Sequence, residues 1–192
     1  MSRLRVLCGL CLLAGAALLG WGLYLPAKAA LAQVLLQGAW ERARDDGARN
    51  RPWPWAETWP VARLRVPDLG VDRIVLAGAE GASLAFAPGH VDGTAEPGSR
   101  GNVVLGGHRD TTFAFLGDLR RGHVLELEAG DGRVLTYRVE GSEVVRHDAT
   151  EVLAPTAAPT LTLITCYPLD GTRPRGPWRY VVRAVEHWST ET

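Results

Sequence analysis

Twenty consecutive residues without a charged side chain, Val6–Leu25 (VLCGLCLLAGAALLGWGLYL), constrain this chain more than any other feature. About 20 apolar residues rising ~1.5 Å each cross a hydrocarbon core ~30 Å thick, so the run fits a transmembrane helix. Trp21 and Tyr24 lie near its far end, where aromatic rings suit the membrane–water interface. Arg3, Arg5 and the amino terminus precede the run and only Lys28 follows closely. The positive-inside bias then sets the N-terminus in the cytoplasm and everything after Leu25 outside. A cleaved signal peptide is the rival, because Ala27-Lys28-Ala29 and Ala30-Leu31-Ala32 offer small residues at cleavage spacing. The run exceeds the usual h-region of roughly 7–15 residues, which favours an uncleaved anchor over residues 1–26. On either reading the remainder is exported.

That division explains the charge. The chain carries 21 Lys plus Arg against 21 Asp plus Glu. Residues 1–55 hold seven basic and three acidic groups, whereas residues 56–192 hold fourteen and eighteen. Neither part has the basic surplus of a nucleic-acid binder, and 46% hydrophobic content excludes wholesale disorder. Cys8 and Cys11 fall inside the apolar run and read as buried thiols, since no second pair completes a metal or redox motif. Cys166 is therefore alone in the exported part, a flag for a reactive thiol or intermolecular pairing.

Residues 27–46 are rich in Ala and Leu and predict a helix continuing from the membrane. Gly47–Pro60, with three prolines and three tryptophans, predicts an extended linker. Trp53, Trp55 and Trp59 there either meet membrane or substrate, or pack on the domain that follows. Residues 61–192 form that domain. Its pattern is short apolar runs: 61–66, 71–77, 102–106, 124–128, 134–140, 143–146, 161–165 and 179–186. Val134–Val139 alternates with the period of a half-buried strand, and Ala129-Gly130-Asp131-Gly132 supplies a hairpin turn. Phe113–Arg121 predicts one short helix. No helix long enough for a βαβ crossover separates the strands. About eight short strands then favour a closed or nearly closed β-barrel.

Three residues end or open such strands with reactive side chains. Cys166 follows Leu161–Thr165, and a strand end opening into a loop is a rigid mount for a nucleophile. A cysteine attacks as the thiolate and needs a base beside it or a lowered pKa. His108 follows another apolar strand in Asn102-Val103-Val104-Leu105-Gly106-Gly107-His108. It is placed to share a proton with a thiol and to protonate an amine leaving group. Arg179 opens the last strand, and a guanidinium holds a substrate carbonyl or a developing oxyanion. Arg183 shares its strand parity, so alternation alone does not separate the two. Arg173 and Arg175 sit in the preceding loop. Taken singly, each residue has an ordinary structural alternative.

The local sequences resemble one family. Thr162-Leu163-Ile164-Thr165-Cys166 is similar to the T-L-x-T-C signature of the sortases, cysteine transpeptidases of bacterial surfaces. Gly106-Gly107-His108-Arg109-Asp110 resembles their G-H segment, and Trp178-Arg179-Tyr180-Val181-Val182 their final strand with its essential arginine. The Pro-Trp-Pro-Trp stretch and Cys166-Tyr167-Pro168 resemble the subgroup of Gram-negative proteobacteria. The resemblance implies a mainly β, sortase-like closed barrel of about eight strands with one or two short helices, after an N-terminal transmembrane helix. It implies Cys166 as nucleophile, His108 as general acid/base and Arg179 as stabiliser of substrate and oxyanion. Its substrate would be a surface protein with a C-terminal LPXTG-like sorting signal, cleaved after Thr and passed to an amine of cell-wall peptide or protein. The location implied is the inner membrane, with the catalytic domain periplasmic. Thr165 would help position substrate or serve the strand alone, and His90, in Ala87-Pro88-Gly89-His90-Val91, would border the site or hold a turn. Asp110 would orient His108 or face solvent. No acidic cluster of the calcium-binding kind is present in the sequence, so neither metal nor other cofactor is expected. Two further readings compete. An L,D-transpeptidase keeps His and Cys close together, whereas 58 residues separate His108 from Cys166. An anchored adhesion module would bury Cys166 as an inert thiol.

Overall fold

The structure, a computed structural model, describes residues 2–170 and 176–187. Arg173 and Arg175 lie outside the described residues. Helix α1 (Ser2–Asp46) changes character along its length. Up to Tyr24 its large apolar side chains, among them Leu10, Leu13, Leu18 and Trp21, are exposed, and the helix is apolar enough to cross a membrane. Beyond that point a buried apolar stripe runs along one face. Ala32, Leu36, Ala39, Trp40 and Ala43 recur at helical spacing and are all buried. Leu36 and Trp40 cluster with Ile74, Leu76 and Ala87, so the second half of α1 is docked on the barrel. Arg44 reinforces the contact with a 3.2 Å ion pair to Glu128, which Arg65 also holds at 2.6 Å. Gly47, at φ 66°, ends the helix with its N–H on Ala43 O.

Eight strands close the barrel: β1 (Pro60–Val66), β2 (Val71–Ala77), β3 (Gly89–His90), β4 (Asn102–Gly106), β5 (Val124–Ala129), β6 (Val134–Arg146), β7 (Thr160–Tyr167) and β8 (Trp178–Glu186). The order around it is β1-β2-β3-β4-β7-β8-β6-β5. Only the β2–β3 and β4–β7 pairs are parallel. Alternation fills the interior: Ala62, Leu64 and Val66 of β1 face Leu125 and Leu127 of β5, Val103 and Leu105 of β4, and Leu161 and Leu163 of β7. Arg63 and Arg65 take the outward positions of β1; Arg63 pairs with Asp72 through two hydrogen bonds.

Three expectations needed adjustment. Strand β6 is continuous through Gly141-Ser142, with a register shift against β8 between Val139 and Gly141 absorbing the break. The helix expected over Phe113–Arg121 is a 3-10 turn, Ala114–Asp118; Arg120 caps it by donating to Gly117 O and Leu119 O. Two-residue strand β3 has too short a run to show periodicity. The Trp/Pro-rich segment lies against the barrel rather than free of it. Trp53 meets Phe86 edge-to-face at 5.6 Å, Arg49 covers the Trp59 ring, and Thr58 donates to Ala77 O. Trp55 alone of the three projects outward, 80% exposed.

Candidate active site

Strand β7 sorts its side chains by parity. Leu161, Leu163 and Thr165 face the packed interior, leaving Thr162, Ile164 and Cys166 on the outer face. Strand β8 runs antiparallel beside it with Cys166 opposite Arg179, Ile164 opposite Val181 and Thr162 opposite Arg183. Directly opposed residues share a face with Cβ atoms roughly 4.5–5.5 Å apart, so Arg179 is the residue of β8 set against Cys166. Arg179 is half-buried and donates to Gly176 O at 3.1 Å and Trp178 O at 2.9 Å, which fixes the root of its strand. It has no carboxylate partner among the described residues. Arg183 does: Glu143 lies 3.7 Å away, and the pair sits two register steps further from Cys166 than Val181.

Strand β4 approaches from the other side. Its parallel register sets Gly106 against Ile164, and the next hydrogen bond, Gly107 N–H to Ile164 O, extends the ladder. His108 therefore emerges level with Cys166 and on the same outer face, and it is exposed. The chain around it is held tightly. His108 N–H donates to Thr112 Oγ1 at 3.1 Å, and Phe113 N–H returns to His108 O at 2.8 Å. Phe113 itself is fully buried in the core. No hydrogen bond joins the imidazole to the thiol in this structure; such bonds commonly close only once substrate has arrived. Cys166 is a free thiol, partly exposed, so the inert core thiol of an adhesion module does not describe it.

For His90 and Thr165 the structure shows backbone-bonded side chains, the structural one of the two roles open to each. His90 is 4% exposed and pairs with inward-facing Leu105. Its Nε2 lies 2.9 Å from Ala95 O and 3.1 Å from Thr94 Oγ1. Because a carbonyl only accepts, Nε2 carries the proton there. Thr165 is 2% exposed and donates its hydroxyl to Gly107 O at 2.7 Å. Neither side chain reaches the outer face; each secures the backbone beneath it. Asp110 is exposed in the loop after His108.

Asn102 and Arg109 escaped the sequence reading, and with Gly107 they support the site. Asn102, 3% exposed, accepts from Thr162 Oγ1 at 2.7 Å and donates to Val152 O and Ala154 O, pinning β4 to β7 and to the segment before it. Its one visible signal is a polar residue opening an apolar run. Arg109 donates to Pro168 O at 2.8 Å, joining the loop after His108 to the turn after Cys166, where Tyr167-Pro168 is cis. Gly107 leaves no room for a side chain: a Cβ would lie 2.7 Å from the Phe113 ring and 2.8 Å from Thr112 Oγ1.

Known proteins share this sequence pattern and fold. The sortase domain family matches residues 64–187. Sortase D of Bacillus subtilis (strain 168) is 30% identical over 139 residues, covering 71% of this chain and 69% of that protein. Among solved structures, the catalytic domain of B. anthracis SrtD is 35% identical, with TM-score 0.58 over 67% of this chain and 88% of that one. Sortase C-1 from Actinomyces oris is 29% identical, with TM-score 0.59 over 67% and 75%. The Clostridium perfringens Sortase D5 transpeptidase, at 22% identity, shares the fold with TM-score 0.65 over 83% of this chain and 99% of its own.

Proposed function

Since this chain belongs to the sortase family, we propose that it is a membrane-anchored cysteine transpeptidase whose reacting groups are Cys166, His108 and Arg179. The observation that carries the assignment is the outer-face register, with Cys166 opposite Arg179 on β8 and the His108 loop level with Cys166 beyond β4. In this scheme the Cys166 thiolate attacks the Thr carbonyl carbon of an LPXTG-like signal. Arg179 faces the oxyanion as it forms, where a preplaced charge is most effective. Collapse of the tetrahedral adduct breaks the Thr–Gly C–N bond, and His108 hands its proton to the departing amine. The resulting thioester preserves the activation of the acyl group, so no nucleoside triphosphate is required. An incoming amine attacks, gives its proton to His108 and expels the thiolate, leaving a new amide.

Residues 1–26 supply the anchor in this reading, with Arg3 and Arg5 holding the N-terminus in the cytoplasm and the barrel in the periplasm. The Pro-Trp-Pro-Trp stretch and Cys166-Tyr167-Pro168 support the proteobacterial subgroup. Partners are a surface protein with a C-terminal signal and an amine of cell-wall peptide or protein. His90 and Thr165 serve as positioning residues below the substrate surface.

The test is to incubate the full chain in mild detergent with sorting-signal peptides and an amine panel. Mass spectrometry should find a thioacyl adduct on Cys166 and a ligated product, both absent in Cys166→Ala. Failure of every peptide to give either species refutes transpeptidation by this site.

A further inference from the structure

A groove of about 660 Å³ opens where α1 leaves its apolar segment, between that helix, the Trp/Pro-rich segment and the loop after β2. Lys28, Leu31 and Leu35 of α1 form one wall, and Trp53, Trp55 and Phe86 face them. Its position on the helix decides what it meets. At 100° per residue, Trp21, Tyr24, Lys28, Leu31, Ala32 and Leu35 fall within one stripe about 100° wide. The groove therefore sits directly above the helix face that carries Trp21 (85% exposed) and Tyr24 (62%).

Height follows from helical rise. Lys28 lies about 6 Å beyond Tyr24 along the axis and Leu31 about 10 Å. The polar layer on each side of a bilayer adds roughly 5–7 Å to the hydrocarbon core. With Trp21 and Tyr24 marking the edge of the hydrocarbon, Lys28 is at phosphate depth and the groove floor stands just above it. Leu31 (58% exposed) and Trp55 (80%) carry the apolar surface of the helix into this layer without a break. Three charges border the groove, namely Lys28, Glu57 and Glu80, and none has an ion-pair partner among the described residues. One cation and two carboxylates at its border complement a headgroup that carries both a phosphate and an ammonium.

We propose that this groove seats a bilayer phospholipid with an ammonium-bearing headgroup, holding the barrel on the membrane surface beside its anchor. The proposal rests on α1 spanning the membrane, and the test separates the two. The full chain is reconstituted into vesicles of phosphatidylethanolamine with a minor share of phosphatidylglycerol, containing lipids brominated at shallow or deep acyl positions. Tryptophan quenching is compared among wild type, Trp21→Phe and Trp55→Phe; both residues are exposed, so neither change disturbs packing. The emission lost in Trp55→Phe should be the part quenched by shallow bromines, and that lost in Trp21→Phe should respond to deeper ones. Quenching of Trp21 without quenching of Trp55 overturns the lipid seat while leaving the anchor intact. No quenching of Trp21 by any lipid overturns the anchor and the seat with it. Vesicles of phosphatidylglycerol alone, or the Glu57→Gln/Glu80→Gln variant, should weaken the shallow quenching; an unchanged signal in both refutes the ammonium headgroup. Shielding of Trp55 that follows protein-to-lipid ratio instead of bromine position would identify a second copy as the occupant and also overturn the proposal.

Discussion

Replacing Gly107 by Ala tests whether the backbone beneath His108 must be where it is. A Cβ there would stand 2.7 Å from two carbons of the Phe113 ring and 2.8 Å from Thr112 Oγ1. Carbon atoms settle at about 3.5–4.0 Å, so roughly 1 Å must be found. Phe113 cannot provide it, being fully buried and edge-to-face with Phe115 at 5.7 Å. The segment moves instead, against Thr165 Oγ1 on Gly107 O and Gly107 N–H on Ile164 O. Overpacking of this kind costs about 1–3 kcal/mol of stability. A displacement near 1 Å at a group that must meet the reacting atoms costs about 100-fold in turnover. Gly141→Ala is the control, because its Cβ meets nothing within 4 Å and its φ is not in the left-handed region. Both variants are assayed as full chains in detergent for ligation kcat/KM and for thermal unfolding. Gly107→Ala should lose activity well beyond its loss of stability at the assay temperature, and Gly141→Ala neither. Wild-type turnover in Gly107→Ala, or an equal loss in both, refutes the claim that backbone packing sets His108.

Arg179→Ala should lower kcat by about 100–1,000-fold, the usual cost of one oxyanion donor. Arg183→Ala, which severs only an exposed 3.7 Å pair with Glu143, should change it less than about tenfold; the reverse order would transfer the role to Arg183. Asn102→Ala strands Val152 O, Ala154 O and the Thr162 hydroxyl together. Denaturant unfolding should show a loss of about 3–4 kcal/mol, at roughly 1 kcal/mol or somewhat more per bond, and a loss below 1 would contradict the pinning role. Burial, and after it the charge of Glu186, pushes the Tyr137 phenol up to about 12. The folded state thus resists phenolate, so this group costs no stability below pH 10 and removes roughly 2–3 kcal/mol as pH climbs from 10 to 12. Tyr137→Phe should flatten that decline, and at pH 7 it should be neutral or stabilising, because the hydroxyl has no hydrogen-bond partner. An equally steep alkaline decline in the variant would assign the effect to another group.

How much of this was legible from residues alone depends on the range of the interaction concerned. Seven strands were visible because alternation is local: Leu161 and Leu163 inward against Thr162 and Ile164 outward read directly from the chain. Strand β3 was not, since two residues carry no period and its place depends on hydrogen bonds to β2 and β4. The reactive residues could be named from motif and strand ends. Alternation alone did not separate Arg179 from Arg183, which share parity; the resemblance favoured Arg179, and the β7–β8 register sets that residue opposite Cys166. His90 and Thr165 show the same limit from the other side. Their positions in the sequence were conspicuous, but whether a polar side chain faces substrate or a backbone carbonyl is decided by partners across the fold. Asn102 is the clearest case, with bonds to residues 50, 52 and 60 positions away.

The barrel order also bears on how an anchored transpeptidase would meet its substrate. Strands β1 and β2 take the docked half of α1, and β7, which carries Cys166, lies four strands from β1 in either direction around the barrel. From β2 only β3 and β4 intervene, and the loop after β2 reaches β4, where a Cβ on Gly106 would lie 3.3 Å from Ala79. A flexible tether would let the reacting face take any orientation. Here the stripe from Ala32 to Ala43, with Trp40 fully buried and Arg44 on Glu128, leaves little freedom between anchor and barrel. That docked stripe begins about 12 Å beyond Tyr24 and ends about 28 Å beyond it, at 1.5 Å per residue. On the proposed function, a sorting signal emerging from the same membrane would have to rise past this docked stripe before its Thr carbonyl met Cys166. At about 3.3 Å per extended residue, each 10 Å of that path requires some three residues of spacer. Selection in such an arrangement would fall on reach as well as on motif, and a signal of the right sequence set too close to its own membrane segment would be a poor substrate for a geometric reason.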